Sequence, residues 1–188
     1  MNGTSSCRII ALIGPKHSGK TSTGEELSLL LKADFMDLDL FIEERTGKTP
    51  RTLYMESPGI FMEAEAQALE AVINRTAQNR TILVLSTGGG IIDNPAAVSL
   101  LREKTLMVFL EVSSGTAWDR ILGTSKISGE LPPFLRTDNP EETHRELHTR
   151  RNRLYRELAD YTVDAESADL AGICRDIKQY AVHRLGIA

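Results

Sequence analysis

The stretch GPKHSGKT, Gly14–Thr21, decides the fold class of this chain. It matches the pattern G-x-x-x-x-G-K-[ST], in which glycines let successive backbone N–H groups turn inward around a phosphate chain. The apolar run RIIALIG precedes it and predicts a buried strand, and residues 20–32 follow with leucines at helical spacing. A loop of this kind between a strand and a helix predicts a phosphate site in an α/β domain.

Outward from this loop, predicted strands and helices alternate. Strands are expected at DFMDLD, TILVLS, TLMVFLEV and YTVDA, with helices between them and a last helix from Asp169 to Leu185. This alternation predicts a parallel sheet with helices on both faces. We expect one domain over residues 1–188, with its core at 8–122 and 140–188. The aperiodic segment 123–139, GTSKISGELPPFLRTDN, is expected to be a mobile lid.

Composition and charge exclude several classes of partner. The net charge of −4 argues against nucleic-acid binding, and no apolar run approaches the roughly 20 residues that cross a membrane. Cys7 and Cys174 lie too far apart along the chain to form a metal-ligand pattern, which favours free thiols in a reducing compartment. We expect a cytoplasmic protein, monomeric, that acts on a small molecule.

The phosphate loop supplies the first group of candidate site residues. Lys20 would add a cation near the terminal phosphates of ATP, and Thr21 would offer a hydroxyl to Mg²⁺. The helix that follows would point its positive end at the same charge. The residues expected to bind the nucleotide here are Gly14, Ser18, Gly19, Lys20, Thr21 and Ser22.

Two further motifs follow the second and third predicted strands. Asp37 and Asp39 lie two apart on a segment expected to be extended, so both carboxylates would face one site. One would organise Mg²⁺ and the other would accept a proton from an attacking hydroxyl; the alternative is that they cap the next helix. Gly88–Gly90 would leave bare backbone for a small ligand, unless they form a simple tight turn.

The motifs GPKHSGKT, FMDLDLFIEERTGKTP, FMEAE, LSTGGG, WDRILG and RRNRLYRELA resemble shikimate kinases in order and spacing. The resemblance implies a five-stranded parallel sheet of the nucleoside-monophosphate-kinase type with a mobile lid. It also implies transfer of the γ-phosphate of ATP to the 3-hydroxyl of shikimate, with Mg²⁺. Asp37 would lie near the metal, and Asp39 would hold the acceptor hydroxyl and act as the base.

The same resemblance assigns roles to residues that periodicity leaves without one. Gly88–Gly90 would line the acceptor site, and Arg120 would pack on adenine. Arg151 would grip the carboxylate of shikimate, and Glu65 would orient a neighbouring arginine.

The sequence departs from the family pattern at two arginines. Met62 stands where F-R-x-x-E has an arginine, and Pro132 stands where the lid motif R-P-L-L has one. Losing one charge-assisted contact of this kind costs about 2–5 kcal/mol. Either Lys126, Arg136 or Arg51 substitutes, or the acceptor is a different sugar acid or polyol. A third alternative is a catalytically silent nucleotide-binding protein.

Overall fold

Five parallel strands in the order β2-β3-β1-β4-β5 form the centre of the molecule. The computed structural model describes residues 8–79, 81–128 and 131–187. The sheet confirms the predicted fold class, including the number of strands. The strands are β1 Ile9–Ile13, β2 Asp34–Asp37, β3 Leu83–Ser86, β4 Leu106–Glu111 and β5 Tyr161–Asp164.

Helices cover both faces of the sheet, as the alternation predicts. Side chains of β1 divide between two apolar clusters, with Ile9, Ala11 and Ile13 in one and Ile10 and Leu12 in the other. A strand buried on both faces reads as a continuous apolar run, which explains the sequence IIALI. The helices are α1 Lys20–Leu31, α2 Leu38–Thr46, α3 Pro50–Glu56, α4 Pro58–Asn79, α5 Pro95–Lys104, α6 Ser114–Ser128, α7 Pro140–Leu158 and α8 Leu170–Leu185.

Parallel pairing brings the three predicted loops to one edge of the sheet. In the register, Ser86 at the end of β3 lies beside Leu12 of β1 and beside Asp37 of β2. The chain segments that follow these residues therefore leave the sheet side by side. This places the phosphate loop, the aspartates and the glycine triplet next to one another.

The predicted lid is more regular than its sequence suggests. Helix α6 runs to Ser128, so residues 123–128 continue a helix, and Pro133–Leu135 forms a short 3-10 helix. A single glycine such as Gly123 costs a helix only about 1 kcal/mol, so it does not by itself end α6. Gly129 and Glu130 lie outside the described residues. The opening and closing of this segment stays a prediction.

Within the described ranges, no helix is both long and apolar enough to cross a membrane. Cys174 lies in the core with its thiol buried, and Cys7 is outside the described part of the chain. The cytoplasmic location and the monomeric state stay predictions from the sequence.

Candidate active site

The phosphate loop is organised around the ammonium group of Lys20. Gly14 and Gly19 have φ values of 147° and 97°, a region of backbone conformation that glycine adopts without strain. The Nζ of Lys20 donates to the carbonyls of Gly14 at 3.0 Å and Pro15 at 2.7 Å. Burial lowers the pKa of Lys20 to about 8, although the carboxylates of Asp39 and Asp37 act against this. A lysine held in this way places its positive charge inside the loop, where a bound phosphate would lie.

A cleft of about 800 Å³ opens over this loop; we call it the main cleft. Residues 16–23 of the loop and the start of α1 form one side of it. Arg120 of α6 lines another part, and its Nη1 donates to the carbonyl of His17 at 2.9 Å. Of the residues predicted to bind the nucleotide, all but Gly14 line the main cleft: Ser18, Gly19, Lys20, Thr21, Ser22 and Arg120.

Asp37 caps the next helix, one of the two alternatives that its sequence position left open, and it also contacts Thr21. Its Oδ1 accepts from the backbone N–H of Asp39 at 3.0 Å and caps α2, while its Oδ2 accepts from the hydroxyl of Thr21 at 2.8 Å. The strand therefore ends at Asp37, and Asp39 lies in the first turn of α2. The expectation that both carboxylates share one extended segment is wrong, because aspartate favours a helix N-cap. Both nevertheless line the main cleft.

Thr21 and Asp37 together offer hard oxygen donors. The described residues contain no cluster of three or more His, Cys, Asp or Glu that could hold a metal unaided. One hydroxyl and one carboxylate suit Mg²⁺, which usually keeps several waters and takes further oxygens from a phosphate. The donor set fits the expected ion.

Asp39 lies where the main cleft meets a further cavity of about 370 Å³, which we call the inner cavity. Burial raises the pKa of Asp39, the charge of Asp37 adds to this, and the charges of Lys20 and Lys16 oppose it. Within the described part of the chain, its buried Oδ1 has no hydrogen-bond partner. The residues that line both spaces are Lys16, His17, Asp39, Gly89 and Thr124.

The glycine triplet packs directly against the phosphate loop and Asp39. A Cβ on Gly89 would lie 2.6 Å from the backbone nitrogen of Lys16, which no side chain tolerates. A Cβ on Gly88 would lie 3.0 Å from Oδ1 of Asp39. The triplet does form a turn. Glycine is required at Gly89, however, because the triplet lies so close to the phosphate loop. Gly89 and Gly90 line the inner cavity.

Arg151 reaches the inner cavity from α7, as predicted, but it already has a carboxylate partner. Its Nε and Nη2 donate to Oδ2 of Asp93 at 2.9 and 2.7 Å, and its Nη1 donates to the carbonyl of Gly89 at 3.2 Å. Arg150 pairs with the other oxygen of Asp93 at 2.8 Å. Partial burial raises the pKa of Asp93, but the hydrogen bonds and charges of the two arginines outweigh it and hold the pKa below its usual value. Sequence analysis missed Asp93; its position just after the glycine triplet was the available signal.

Glu65 is buried on α4 beside the glycine triplet. Its Oε2 accepts from the side-chain amide of Asn94 at 2.9 Å, and that amide also donates to the carbonyl of Met62. Burial raises the pKa of Glu65 to about 7, although the bond from Asn94 acts against this. The expected arginine partner is thus replaced by an amide, and protonation limits the repulsion that a charged Glu65 would add.

Glu65→Gln should gain stability relative to the wild type as the pH rises from 4.5 to about 7. The folded protein holds the proton of Glu65 in this range and the unfolded chain releases it, so the contribution of Glu65 to stability falls as the pH rises. Glutamine cannot ionise, so the variant should be more stable by up to about 3 kcal/mol near pH 8 and equal near pH 4. Urea unfolding across this range measures both curves.

Glu63→Gln is the matched control, because Glu63 is exposed on the same helix. Its pH profile should follow the wild type. A stability difference between Glu65→Gln and the wild type that does not grow between these pH values would contradict the raised pKa of Glu65.

The structure separates the remaining basic candidates. Arg51 lines the inner cavity, whereas Lys126 and Arg136 line neither space. Pro132 lines the inner cavity together with Pro133 and Phe134, so the wall is apolar where the family pattern has an arginine. Sequence analysis also missed Lys16, because the x positions of the loop motif carry no fixed residue type.

Comparison with known proteins agrees with this geometry. The sequence model of the shikimate kinase family matches residues 16–181. A shikimate kinase of Aromatoleum aromaticum is 32% identical over 172 residues, which cover 91% of this chain and 93% of that protein. A shikimate kinase of Vibrio parahaemolyticus is 37% identical over 164 residues, covering 86% and 90%.

A solved structure described as shikimate kinase from Acinetobacter baumannii in complex with shikimate superposes with a TM-score of 0.80. Its sequence is 30% identical, and the match covers 96% of each chain. The similarity therefore spans the sheet, the phosphate loop and the segment around the inner cavity.

Proposed function

Since the chain belongs to the shikimate kinase family, a family of small-molecule kinases, we propose that it phosphorylates the 3-hydroxyl of shikimate with ATP. The hydroxyl oxygen attacks the γ-phosphorus and forms a new P–O bond. The bond between the γ-phosphorus and the β,γ-bridging oxygen breaks, and ADP leaves. The hydroxyl proton passes to a carboxylate oxygen of Asp39.

The observation that carries this proposal is the position of Asp39. It borders both the main cleft and the inner cavity, and its Oδ1 is buried with no partner among the described residues. A base must lie within hydrogen-bond reach of the proton it takes, and a hydroxyl in the inner cavity would lie beside the carboxylate of Asp39, which lines that space. The nucleotide and the acceptor would thus both lie next to the carboxylate of Asp39.

The other roles follow from the surroundings of each residue. The backbone of Gly14–Thr21 and the ammonium of Lys20 bind the phosphates, and Arg120 binds the nucleotide from α6. Thr21 and Asp37 would hold Mg²⁺, an ion that neutralises charge on the β- and γ-phosphates when it is bound. The lid segment 123–139 would exclude water that would otherwise hydrolyse ATP.

A coupled assay with ATP, Mg²⁺ and shikimate tests the proposal by release of ADP. We expect turnover that depends on shikimate and a product phosphorylated at the 3-hydroxyl. No turnover, with ATP binding retained, would remove shikimate as the acceptor. Quinate, gluconate and an uncharged polyol in parallel would then identify the acceptor class.

A further inference from the structure

Helix α6 carries Arg120, which lines the main cleft, and the helix is held from two sides. On one side, Nη1 of Arg120 donates to the carbonyl of His17 in the phosphate loop at 2.9 Å. On the other side, the ring of Trp118 packs against His144 of α7, with 5.3 Å between the ring centroids. Side chains two positions apart on a helix point to nearly opposite sides of its axis. The orientation of Arg120 therefore depends on what Trp118 contacts.

His144 belongs to a row of rings on the buried face of α7. His148, one turn further along, packs against His144 with 5.5 Å between the centroids. The two histidines are only 5% and 6% exposed, whereas Trp118 is half-buried. Burial lowers the pKa of His144 to about 4, and the charges of His148 and Arg151 add to this, so the ring is neutral at pH 7. A neutral aromatic ring packs against tryptophan without the cost of burying a charge.

Helix α7 is itself fixed to the sheet and to the glycine triplet. The hydroxyl of Tyr155 donates to the carbonyl of Gly89 at 3.1 Å, and its ring stacks on Phe109 of β4 with 5.2 Å between the centroids. His144 precedes Tyr155 by about three helical turns and so lies on the same face of α7. The rings of Trp118 and His144 are thus the contact through which α6 rests on an anchored helix.

We infer that His144 is a positioning residue for the nucleotide site: by holding Trp118, it orients α6 so that Arg120 faces the bound nucleotide. This inference rests on the proposed function in one respect, that the main cleft binds ATP. His144 itself lines neither the main cleft nor the inner cavity. Its loss should therefore weaken nucleotide binding and leave the transfer step intact.

His144→Ala should raise the KM for ATP about 3- to 10-fold, the range expected for loss of one aromatic contact. The kcat at saturating ATP and the KM for shikimate should stay within about 2-fold of the wild type, because neither depends on the orientation of Arg120. His144→Phe keeps a ring at this position and should restore most of the affinity. His183→Ala removes an exposed histidine from α8 and is the matched control.

Trp118 is the single tryptophan of the chain, so its fluorescence reports this contact directly. In His144→Ala the emission should shift to longer wavelength, and acrylamide should quench it more strongly, because the indole loses its cover. Trp118→Ala should raise the KM for ATP as His144→Ala does. The double variant should raise it no further, since the effects of two partners in one contact are not additive.

Two results would overturn the role of His144. One is an unchanged KM for ATP in His144→Ala although the fluorescence shows an exposed indole, which would mean that α6 keeps its orientation without this contact. The other is an additive effect of the two alanine variants on the KM for ATP, which would mean that the two rings act independently. If His144→Ala does not fold, His144→Leu removes the ring with little loss of volume and decides the same question.

Calorimetric titration with a non-hydrolysable ATP analogue, without shikimate, separates this inference from the proposed function. If the wild type binds the analogue but does not phosphorylate shikimate, the proposed function fails, and weaker binding by His144→Ala still supports the role of His144. If the wild type does not bind the analogue, both are overturned.

Discussion

Asp39→Asn should lower kcat for phosphorylation of shikimate by about 10²- to 10⁴-fold, the usual contribution of a general base. The asparagine keeps the size of the side chain and the backbone N–H bond to Asp37, but it cannot accept the hydroxyl proton. The KM for ATP should change little, because the nucleotide is held by the phosphate loop. Steady-state rates of ADP release at saturating ATP measure the effect.

Two controls separate chemistry from folding. Burial raises the pKa of Asp39, so the fold disfavours its charge, and the variant should unfold at a temperature no lower than the wild type. Asp34→Asn changes an exposed aspartate at the start of β2 and should leave kcat unchanged. A variant at Asp39 that retains more than about a tenth of the wild-type kcat would show that the proton takes another route.

Lys20→Met should lower kcat by about 10²- to 10³-fold and weaken ATP binding as well. The Nζ of Lys20 lies inside the phosphate loop, 2.7 Å from the carbonyl of Pro15 and 3.4 Å from the hydroxyl of Ser18. Methionine fills a similar volume but brings no charge to the transferring group. The shift in melting temperature on addition of ATP and Mg²⁺ reports the loss of binding, because a ligand stabilises the state that it binds.

The buried charge of Lys20 makes the expected effect on folding small. Its lost hydrogen bonds destabilise the variant, while removal of a desolvated ammonium acts in the opposite direction. Lys104→Met, on the surface of α5, is the control and should keep the full response to ATP. An equal ATP-induced shift in the Lys20 variant would contradict the role of this lysine.

Much of the site could be predicted because parallel strands bring successive loops to one edge. The phosphate loop needs glycine where φ is positive, so the positions of its glycines predict its backbone conformation. Asp37 and the glycine triplet follow β2 and β3, and the register of those strands places Asp37 beside Ser86. Local patterns together with one topological rule were sufficient for these residues.

The regular part of the predicted lid could not be predicted in the same way. Gly123 and the serines near it lower helix propensity, yet α6 continues to Ser128. Asp39 is a second case. Its spacing from Asp37 suggested that both residues lie on one extended segment. Instead, Asp37 accepts a capping hydrogen bond from the backbone N–H of Asp39, and α2 begins at Leu38. At Asp39 the helix cap overrode the expected extended pair, and at Gly123 the cost of one glycine was too small to end the helix.

From the sequence alone came the α/β class, the phosphate loop, the family, and the candidate roles of Lys20, Thr21 and Asp39. Tertiary structure alone decided that Asp93, 58 positions from Arg151, pairs with that arginine. It alone also decided that Lys16 and Arg51 line the same cavity. The physical reason is that a phosphate loop is encoded by neighbouring residues, whereas charge pairing across a cavity depends on helices packed from distant parts of the chain.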